Sequence, residues 1–383
     1  MTTAHLLILL GAALAFTAPV PAGQFYVYFG TYTTGSSRGI YVSRVDAATG
    51  KLSPPELAAE SESPSYLAVS PDQHCLYAAN EVDHFKDQVT DHGGAVSAFS
   101  LDAGSGKLTF LNRLCSSGSD PCYVSVDASG KVLFTANYSS GSVKSFPLAA
   151  SGALGAGGDC VSRSGHGPNA SRQGSAHAHF IRPDPSNRFA LSCDLGTDEV
   201  IVYPLDLGAA GLQPAKARAF GVPAGSGPRH LAFSPDGKFA HVINELACTI
   251  TTFSWDSSVG ELKLIESVSA LPPGVVVAPS FTAAEILVSG NFVYATIRGH
   301  DSVSVLAANP STGRLEFLQN ISSGGKVPRG LGIDPTRHWL LVGNQASNRV
   351  VEFSISPDTG RLSPTGEEFT LDAPVDVKFV SHP

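Results

Sequence analysis

Four side chains in this sequence are of the kinds that bind anions and move protons. They are His177, Arg229, Glu245 and Arg298. An arginine can hold a phosphate or carboxylate group through paired hydrogen bonds and can stabilise an oxyanion. A carboxylate or an imidazole can take a proton from a water molecule that attacks a carbonyl group. If the fold brings these side chains together, they could catalyse hydrolysis, with either Glu245 or His177 as the base.

A repeated strand pattern indicates how the chain positions these residues. Each copy has an apolar run, a turn rich in Ser, Pro, Asp and Gly, and a second run that mostly ends at Asn or Asp. The clearest copies are Tyr66 to Asn80, Tyr123 to Asn137, Phe180 to Asp194, His230 to Asn244 and Gly330 to Asn344, with a looser copy from Phe281 to Arg298. A third run often closes on Asp-x-x-x-Gly-x-Leu. The copies start roughly 50 to 57 residues apart, the period of a four-stranded propeller blade.

The two ends of the chain complete the count of seven blades. Val375 to Val380 has no following partner strand, and Phe25 to Thr31 has no preceding one. Pairing these runs would close the ring and remove exposed sheet edges. The sequence therefore predicts an all-β fold, a seven-bladed β-propeller closed by pairing of its N- and C-terminal strands. Because the repeat runs from end to end, residues 24–383 are predicted to form a single domain.

The propeller fold predicts where the polar residues meet. The start of a blade's innermost strand and the end of its second strand lie at the same mouth of the central channel, because the hairpin turn between them lies at the opposite face. Folding of the hairpin from His230 to Asn244 places Arg229 beside Glu245. The same reasoning brings His177 and Arg298 to this mouth.

Seven further side chains are predicted to reach this mouth and bind a ligand. They are His179, His230, His300, Arg329, Asn80, Asn137 and Asn344. The alternative is structural, because Asn commonly forms turns at strand ends, and buried histidines or an arginine–glutamate pair can simply hold the fold. His177 and His179 have the spacing of half a metal site. No third ligand has a useful spacing, so neither a metal nor another cofactor is predicted.

Composition and charge exclude one class of partner. The chain has 383 residues and a net charge of −8, and its Lys and Arg residues are scattered rather than arranged in a basic stripe. Nucleic acid is therefore not a predicted partner. A hydrophobic content of 43%, a charged fraction of 15% and 39 glycines suit many short buried strands joined by tight turns.

The first 23 residues have features of an export signal. An apolar stretch from Leu6 to Phe16 is followed by small residues near Val20 and Ala22, although no Lys or Arg precedes the stretch. Residues 1–23 therefore predict export to the periplasm or secretion. The alternative is a misassigned start codon upstream of a cytoplasmic protein. The stretch is too short to cross a bilayer comfortably, so no membrane span is predicted.

The six cysteines fit an oxidising compartment without requiring one. Cys115 and Cys122 lie seven residues apart around Gly and Pro and could form a small disulfide loop. The other interpretation is that the cysteines are buried reduced thiols that pack as small hydrophobic residues.

Four stretches carry motifs in a specific order. Gly174 to Asp198 contains His-Ala-His, Gly225 to Leu246 contains Gly-Pro-Arg-His and Asn-Glu-Leu, Ile297 to Val305 contains Arg-Gly-His, and Lys326 to Gln345 contains Pro-Arg-Gly. With these motifs the chain resembles the seven-bladed propeller lactonase family. That family includes bacterial propeller-type 6-phosphogluconolactonases and fungal carboxy-cis,cis-muconate cyclising enzymes. The resemblance covers essentially the whole chain after the first segment, and one departure is Ile297, where a small or polar residue is often expected.

The resemblance implies that the protein is a lactone hydrolase whose best-supported substrate is 6-phosphogluconolactone, a small anionic lactone. It implicates the same four residues, His177, Arg229, Glu245 and Arg298, in binding and catalysis. The one Gly-x-Ser-x-Gly match, Gly35 to Gly39, leads into a predicted strand rather than a helix, so it does not form a nucleophile elbow, which favours direct attack by water. Three alternatives stay open: a cyclase or lactonising isomerase acting on a carboxylated muconolactone, a non-catalytic periplasmic binding or scaffold propeller, and a metal-dependent sugar lactonase.

Overall fold

The protein is a ring of antiparallel sheets, as the sequence repeat predicts. The computed structural model describes residues 23–85 and 93–381, and within these ranges the strands form seven sheets, named blades 1 to 7 below. The chain begins with β1 (Gln24–Thr31), β2 (Gly39–Asp46) and β3 (Glu56–Glu60), which belong to blade 7. Blade 1 contains β4 (Pro64–Val69), β5 (Cys75–Asn80), β6 (Ala95–Leu101) and β7 (Leu108–Cys115). Blade 2 contains β8 (Pro121–Val126), β9 (Val132–Asn137), β10 (Ser142–Pro147) and β11 (Cys160–Ser162).

The remaining blades follow the same order of strands. Blade 3 contains β12 (Ala178–Pro183), β13 (Phe189–Asp194), β14 (Glu199–Asp206), β15 (Gly211–Leu212) and β16 (Arg218–Gly221). Blade 4 contains β17 (Pro228–Phe233), β18 (Phe239–Asn244), β19 (Thr249–Asp256) and β20 (Glu261–Ser269). Blade 5 contains β21 (Thr282–Ser289), β22 (Phe292–Arg298), β23 (Ser302–Ala308) and β24 (Leu315–Ser322). Blade 6 contains β25 (Pro328–Ile333), β26 (Trp339–Asn344), β27 (Arg349–Ile355) and β28 (Leu362–Thr370), and blade 7 is completed by β29 (Pro374–Ser381). Two short 3-10 helices are Pro214–Lys216 and Gln345–Ser347.

The predicted closure of the ring is confirmed. Strand β29 pairs antiparallel with β1, from Phe25 opposite Ser381 to Thr31 opposite Pro374. The innermost strands of consecutive blades contact one another around the circle, and β29 lies between those of blades 6 and 1. The last strand of the chain is therefore the innermost strand of a blade whose other strands come from the N-terminus.

The glycine of the repeated Asp-x-x-x-Gly-x-Leu motif links neighbouring blades. In five blades this glycine has a positive φ, and a Cβ atom there would meet an aromatic ring of the preceding blade at 2.2–2.9 Å. The pairs are Gly50 with Trp339, Gly106 with Tyr26, Gly260 with Phe189, Gly313 with Phe239 and Gly360 with Phe292. Nearby tyrosines donate hydrogen bonds to the same turns, such as Tyr28 to the carbonyl of Gly106 at 2.7 Å. The repeated motif thus packs blade against blade.

A bulge recurs at one end of the innermost strands. In β4, β8, β12, β17 and β25 the pairing with the second strand shifts by one residue just after the first pair. The residues left out of the pairing are Ser65, Cys122, His179, Arg229 and Arg329. Because a bulge redirects the extra side chain, three basic groups, His179, Arg229 and Arg329, occupy equivalent positions in blades 3, 4 and 6. The hairpin patterns do not predict these bulges, because they imply regular pairing.

The structure also bears on the predicted disulfide and on the membrane-span prediction. The proposed Cys115–Cys122 disulfide is wrong, since Cys122 is a buried thiol whose Sγ lies 3.5 Å from His179 Nδ1. No helix within residues 23–85 and 93–381 is long and apolar enough to cross a membrane. The predicted export segment, residues 1–23, lies outside the described residues except for Gly23.

Candidate functional site

Glu245 lies at the boundary between blades 4 and 5, immediately after the end of β18. Its backbone N–H donates to the carbonyl of Gly227 at 2.7 Å, and its carbonyl accepts from the N–H of Ala283 at 3.0 Å. These bonds join the end of the second strand of blade 4 to the starts of two innermost strands. The Glu245 side chain is therefore held at the mouth that the hairpin geometry predicts.

Three arginines surround the Glu245 carboxylate. Arg172 Nη2 lies 2.5 Å from Oε1, while Arg298 Nη2 and Arg229 Nε lie 2.8 Å and 3.2 Å from Oε2. Burial alone would raise the pKa of Glu245, but the charges of Arg298 and Arg229 outweigh it and hold the pKa well below its usual range. Glu245 is thus a permanent carboxylate and a weak base. The structure brings Arg229, Glu245 and Arg298 together as predicted.

Two of these arginines are also anchored to the backbone of β21. Arg229 Nη1 donates to the carbonyl of Ala284 at 2.7 Å, and Arg298 Nη2 donates to that of Ala283 at 3.0 Å. Burial lowers the pKa of Arg298 to about 10, against the opposing effect of Glu245, so it is still a cation at neutral pH. Both guanidinium groups are held in place before any ligand arrives, as an oxyanion site requires.

His177 lies at the edge of this cluster, and its hydrogen bonds define its tautomer. Its Nδ1 is 3.0 Å from the carbonyl oxygen of Tyr138, which can only accept, so in the neutral ring Nδ1 carries the proton and Nε2, 3.5 Å from Ser175 Oγ, has the lone pair. The ring stacks on Tyr138 with centroids 4.6 Å apart. The Asp194 carboxylate accepts from the backbone N–H of His177 at 2.8 Å, which fixes the residue. Tyr138 joins His177 to the cluster, because its hydroxyl accepts from Arg172 at 3.3 Å.

Two predicted histidines lie deeper in the channel. His179 and His230 are buried, with ring centroids 5.1 Å apart, and His230 Nδ1 is 2.8 Å from Oε1 of Glu285. Burial, reinforced by the charge of Arg229, lowers the pKa of both imidazoles well below the usual range. Burial also raises the pKa of Glu285. These groups form the floor of the mouth.

Arg329 belongs to a second, smaller cluster at the same mouth. Its Nη2 lies 3.6 Å from Oε1 of Glu81, and its guanidinium carbon lies 5.3 Å from the centre of the Tyr32 ring. The Tyr32 hydroxyl donates to the same Glu81 oxygen at 2.8 Å. This cluster places a fourth arginine and a second glutamate near the channel, as the strand register predicts for Arg329.

The three asparagines predicted to bind a ligand are buried within the blades, and their binding role stays a prediction. Asn80, Asn137 and Asn344 have no exposed surface, and their amide groups donate to oxygens of neighbouring strands and connections. Asn80, for example, donates to Ser61 Oγ at 2.8 Å and accepts from Ser97 Oγ at 2.6 Å. Their NH2 groups are thus occupied within the blades, which favours the structural alternative, while the Oδ1 atoms of Asn137 and Asn344 have no partner among the described residues.

His300 is also separate from the cluster, and its predicted role in binding stays a prediction. Its Nδ1 lies 2.7 Å from Ser302 Oγ, and its ring packs edge-on against Phe281. It lines an open polar groove with Lys326 and Arg349, between blades 5 and 6. Within the described residues, no contact links it to Glu245 or the surrounding arginines.

Three residues of the site were not among the predicted ones. Arg172 lies in the Gly- and Ser-rich connection between β11 and β12, where no strand pattern fixes its position. Tyr138 follows β9 by one residue and gives no signal beyond its closeness to Asn137. Glu285 did carry a signal, because it is an acidic residue within the apolar run of an innermost strand.

Comparison with known proteins agrees with this picture. The family described as "Lactonase, 7-bladed beta-propeller" matches residues 26–379. The chain is 35% identical to the 6-phosphogluconolactonase of Bacillus subtilis, over 93% of this chain and 99% of that protein. It is 29% identical to a 6-phosphogluconolactonase of Formosa agariphila, over 93% of this chain and 99% of the other. The structure of the Pseudomonas aeruginosa periplasmic gluconolactonase PpgL is similar, with a TM-score of 0.85, 32% identity, and coverage of 94% of this chain and 100% of that one.

Proposed function

Because this chain belongs to the seven-bladed β-propeller lactonase family, we propose that it opens a sugar lactone by direct attack of water at the channel mouth. The observation that carries this proposal is a cluster of fixed arginines that Tyr138 joins to the imidazole of His177. Arg229 and Arg298 are held by Glu245 and by backbone carbonyls, and Arg172 of the same cluster contacts Tyr138, on which the His177 ring stacks. Lactone hydrolysis needs such a base and such stabilising groups for the oxyanion.

In the proposed reaction, His177 takes a proton from water at Nε2 while the water oxygen attacks the lactone carbonyl carbon. The carbonyl oxygen becomes an anion that the arginine cluster stabilises. When the tetrahedral intermediate collapses, the ring C–O bond breaks and the His177 imidazolium returns the proton to the leaving oxygen. We assign the base to His177 rather than Glu245, because three arginines hold the Glu245 carboxylate in its ionised, weakly basic form.

The charge of the mouth supports an anionic substrate such as 6-phosphogluconolactone. Four arginines there form ion pairs with two glutamates, and a third glutamate, Glu285, lies in the floor beside His230. The members are Arg172, Arg229, Arg298 and Arg329 with Glu245 and Glu81. A phosphate or carboxylate on the lactone would balance this excess of positive charge. We also propose that the protein is exported, on the basis of its apolar first segment and of the similar periplasmic gluconolactonase.

A lactone panel tests the proposed function. Purified protein would be assayed by acid release with 6-phosphogluconolactone, glucono-δ-lactone and a carboxylated muconolactone, each corrected for spontaneous hydrolysis. We expect His177→Gln to lower kcat on the accepted lactone by roughly 10²–10⁴-fold, the usual contribution of a general base. His300→Gln is the matched control and should change kcat less than about twofold. No acceleration on any lactone would overturn the proposal, and turnover of the muconolactone alone would replace the substrate class.

A further inference from the structure

We propose that Arg172 is a movable clamp that leaves Glu245 to bind the phosphate or carboxylate group of an anionic lactone. This inference rests on the proposed function, and it assigns the recognition of charge to a residue outside the strands of the propeller. Arg172 lies in the connection between β11 and β12, and from there it reaches a carboxylate carried by blade 4.

Arg172 is the most accessible arginine of the cluster. Its side chain is 37% exposed, whereas those of Arg229, Arg298 and Arg329 are 3%, 13% and 17% exposed. A ligand arriving from solvent therefore meets the Arg172 guanidinium first. The other arginines lie behind it, closer to the channel.

Arg172 also differs from Arg229 and Arg298 in what anchors it. Its guanidinium contacts Glu245 Oε1 at 2.5 Å and the Tyr138 hydroxyl at 3.3 Å. Among the contacts of the described residues it has none with a backbone carbonyl, in contrast to Arg229 and Arg298. Its guanidinium can change partner without breaking a bond to the backbone.

The backbone next to Arg172 is, in contrast, firmly held. The neighbouring Gln173 is buried and donates from Nε2 to the carbonyl of Leu195 at 2.9 Å, while its Oε1 accepts from the N–H of Asn169 at 3.1 Å. Because the backbone is fixed while the long Arg172 side chain is partly exposed, any movement is confined to that side chain. The Arg172 side chain can then rotate from the Glu245 carboxylate to a ligand within the same mouth.

Charge balance allows this exchange. When Arg172 moves away, Glu245 keeps its contacts with Arg229 and Arg298, so its buried charge stays compensated. A phosphate or carboxylate offers the same paired oxygens that Arg172 binds on Glu245. Tyr138 lies between Arg172 and His177, so an anion held by Arg172 keeps the lactone ring close to His177. A lactone without an anionic group would use the same base but not the clamp.

The test compares Arg172→Gln with wild type on 6-phosphogluconolactone and on glucono-δ-lactone. We expect kcat/KM for the phosphorylated lactone to fall roughly 10- to 100-fold, mainly through KM, as for loss of hydrogen bonds to a charged group. Turnover of the neutral lactone should change less than about threefold. Arg163→Gln is the matched control, because Arg163 opens the same connection but pairs with Glu199 at 2.7 Å, and it should leave the preference unchanged.

The outcomes separate this inference from the proposed function. An equal loss on both lactones, or no loss on either, would overturn the clamp and leave the lactonase proposal standing. If wild type hydrolyses no lactone, the proposed function fails, and calorimetry with 6-phosphogluconate and gluconate still decides whether Arg172→Gln removes the preference for the phosphorylated ligand. Should Arg172→Gln fold poorly, Arg172→Lys keeps the charge without the paired donors, and retention of the full wild-type preference would also refute the clamp.

Discussion

Glu245 and Glu352 are both buried glutamates, and they differ in what surrounds them. Glu245 is 4% exposed and contacts three arginines at the channel mouth. Glu352 is 0% exposed in β27, the third strand of blade 6, and neither of its carboxylate oxygens has a hydrogen-bond partner. Burial raises the pKa of Glu352 to about 8, whereas the arginines hold the pKa of Glu245 well below its usual range.

The difference shows that burial alone does not define a charged site. A buried carboxyl without a partner gives up its charge, and only a carboxyl surrounded by cations keeps it. Glu352 lies against Gly50 and the ring of Trp339, where blade 6 packs on blade 7. It is therefore a neutral acid within a structural contact, while Glu245 is a permanent anion that fixes cations around a potential ligand site.

The largest expected effect is that of Glu245→Gln. Removing this charge leaves three arginines uncompensated, so we expect the free energy of unfolding at pH 7 to fall by about 3–5 kcal/mol, as for a broken buried ion pair. Denaturant unfolding measures the change. Glu352→Gln is the control, because it makes the same chemical substitution at a site without cations. Equal losses of stability in the two variants would refute the contrast.

Arg229→Lys should have the next largest effect, and on catalysis rather than on folding. Lysine keeps the positive charge but loses the fork that contacts both Glu245 and the Ala284 carbonyl. We expect transition-state stabilisation to fall by about 2–4 kcal/mol, the usual contribution of a fixed oxyanion donor, read from kcat/KM on an accepted lactone. Unchanged turnover would remove Arg229 from the mechanism.

Glu352→Gln should change the pH dependence of stability. In the folded protein the pKa of Glu352 is raised to about 8, so the neutral form is favoured and wild-type stability from this group is complete below the unfolded pKa. That stability is lost as pH rises through about 8. Glutamine cannot ionise, so the variant should gain about 2–4 kcal/mol relative to wild type between pH 5 and pH 9, since each pH unit below the folded pKa contributes at most about 1.4 kcal/mol. Thermal unfolding across this range would show it, and a difference independent of pH would contradict the assignment.

Glu81→Gln should have the smallest effect, because Glu81 is intermediate between the two cases. It has one distant arginine at 3.6 Å and one hydrogen bond from Tyr32, and its Oε2 has no partner. We expect a loss of about 1 kcal/mol in the free energy of unfolding, the usual net value of one hydrogen bond. A loss as large as that of Glu245→Gln would mean that the number of arginine partners does not decide the cost.

Much of the fold followed from the sequence, because each blade repeats the same local signals. Hairpin turns, strand lengths and the unpaired runs at both ends predicted the closed seven-bladed ring. The register of the hairpins also predicted the meeting of Arg229 with Glu245 and of Arg298 with both. Strand register is local information, so a repeat makes it readable without a structure.

The rest of the site depends on contacts that the repeat does not encode. Arg172 lies in a connection of irregular conformation, and its reach across to blade 4 is set by how Gln173 anchors the chain. The asparagines at strand ends carry the same sequence signal whether they face the channel or the blade interior. Glu352 and Glu245 likewise differ only in neighbours that lie far away in the chain.

The bulge at the start of five innermost strands lets each blade present a different side chain at the channel mouth. Strand pairing resumes after the extra residue whether that residue is serine, cysteine, histidine or arginine. The side chain can thus be exchanged in one blade while the hydrogen-bonded frame of the others stays as it is. Ser65 and Cys122 are uncharged residues at two of these bulge positions. A single substitution there would change which ligands the mouth prefers and would leave the strand pairing of the ring unchanged.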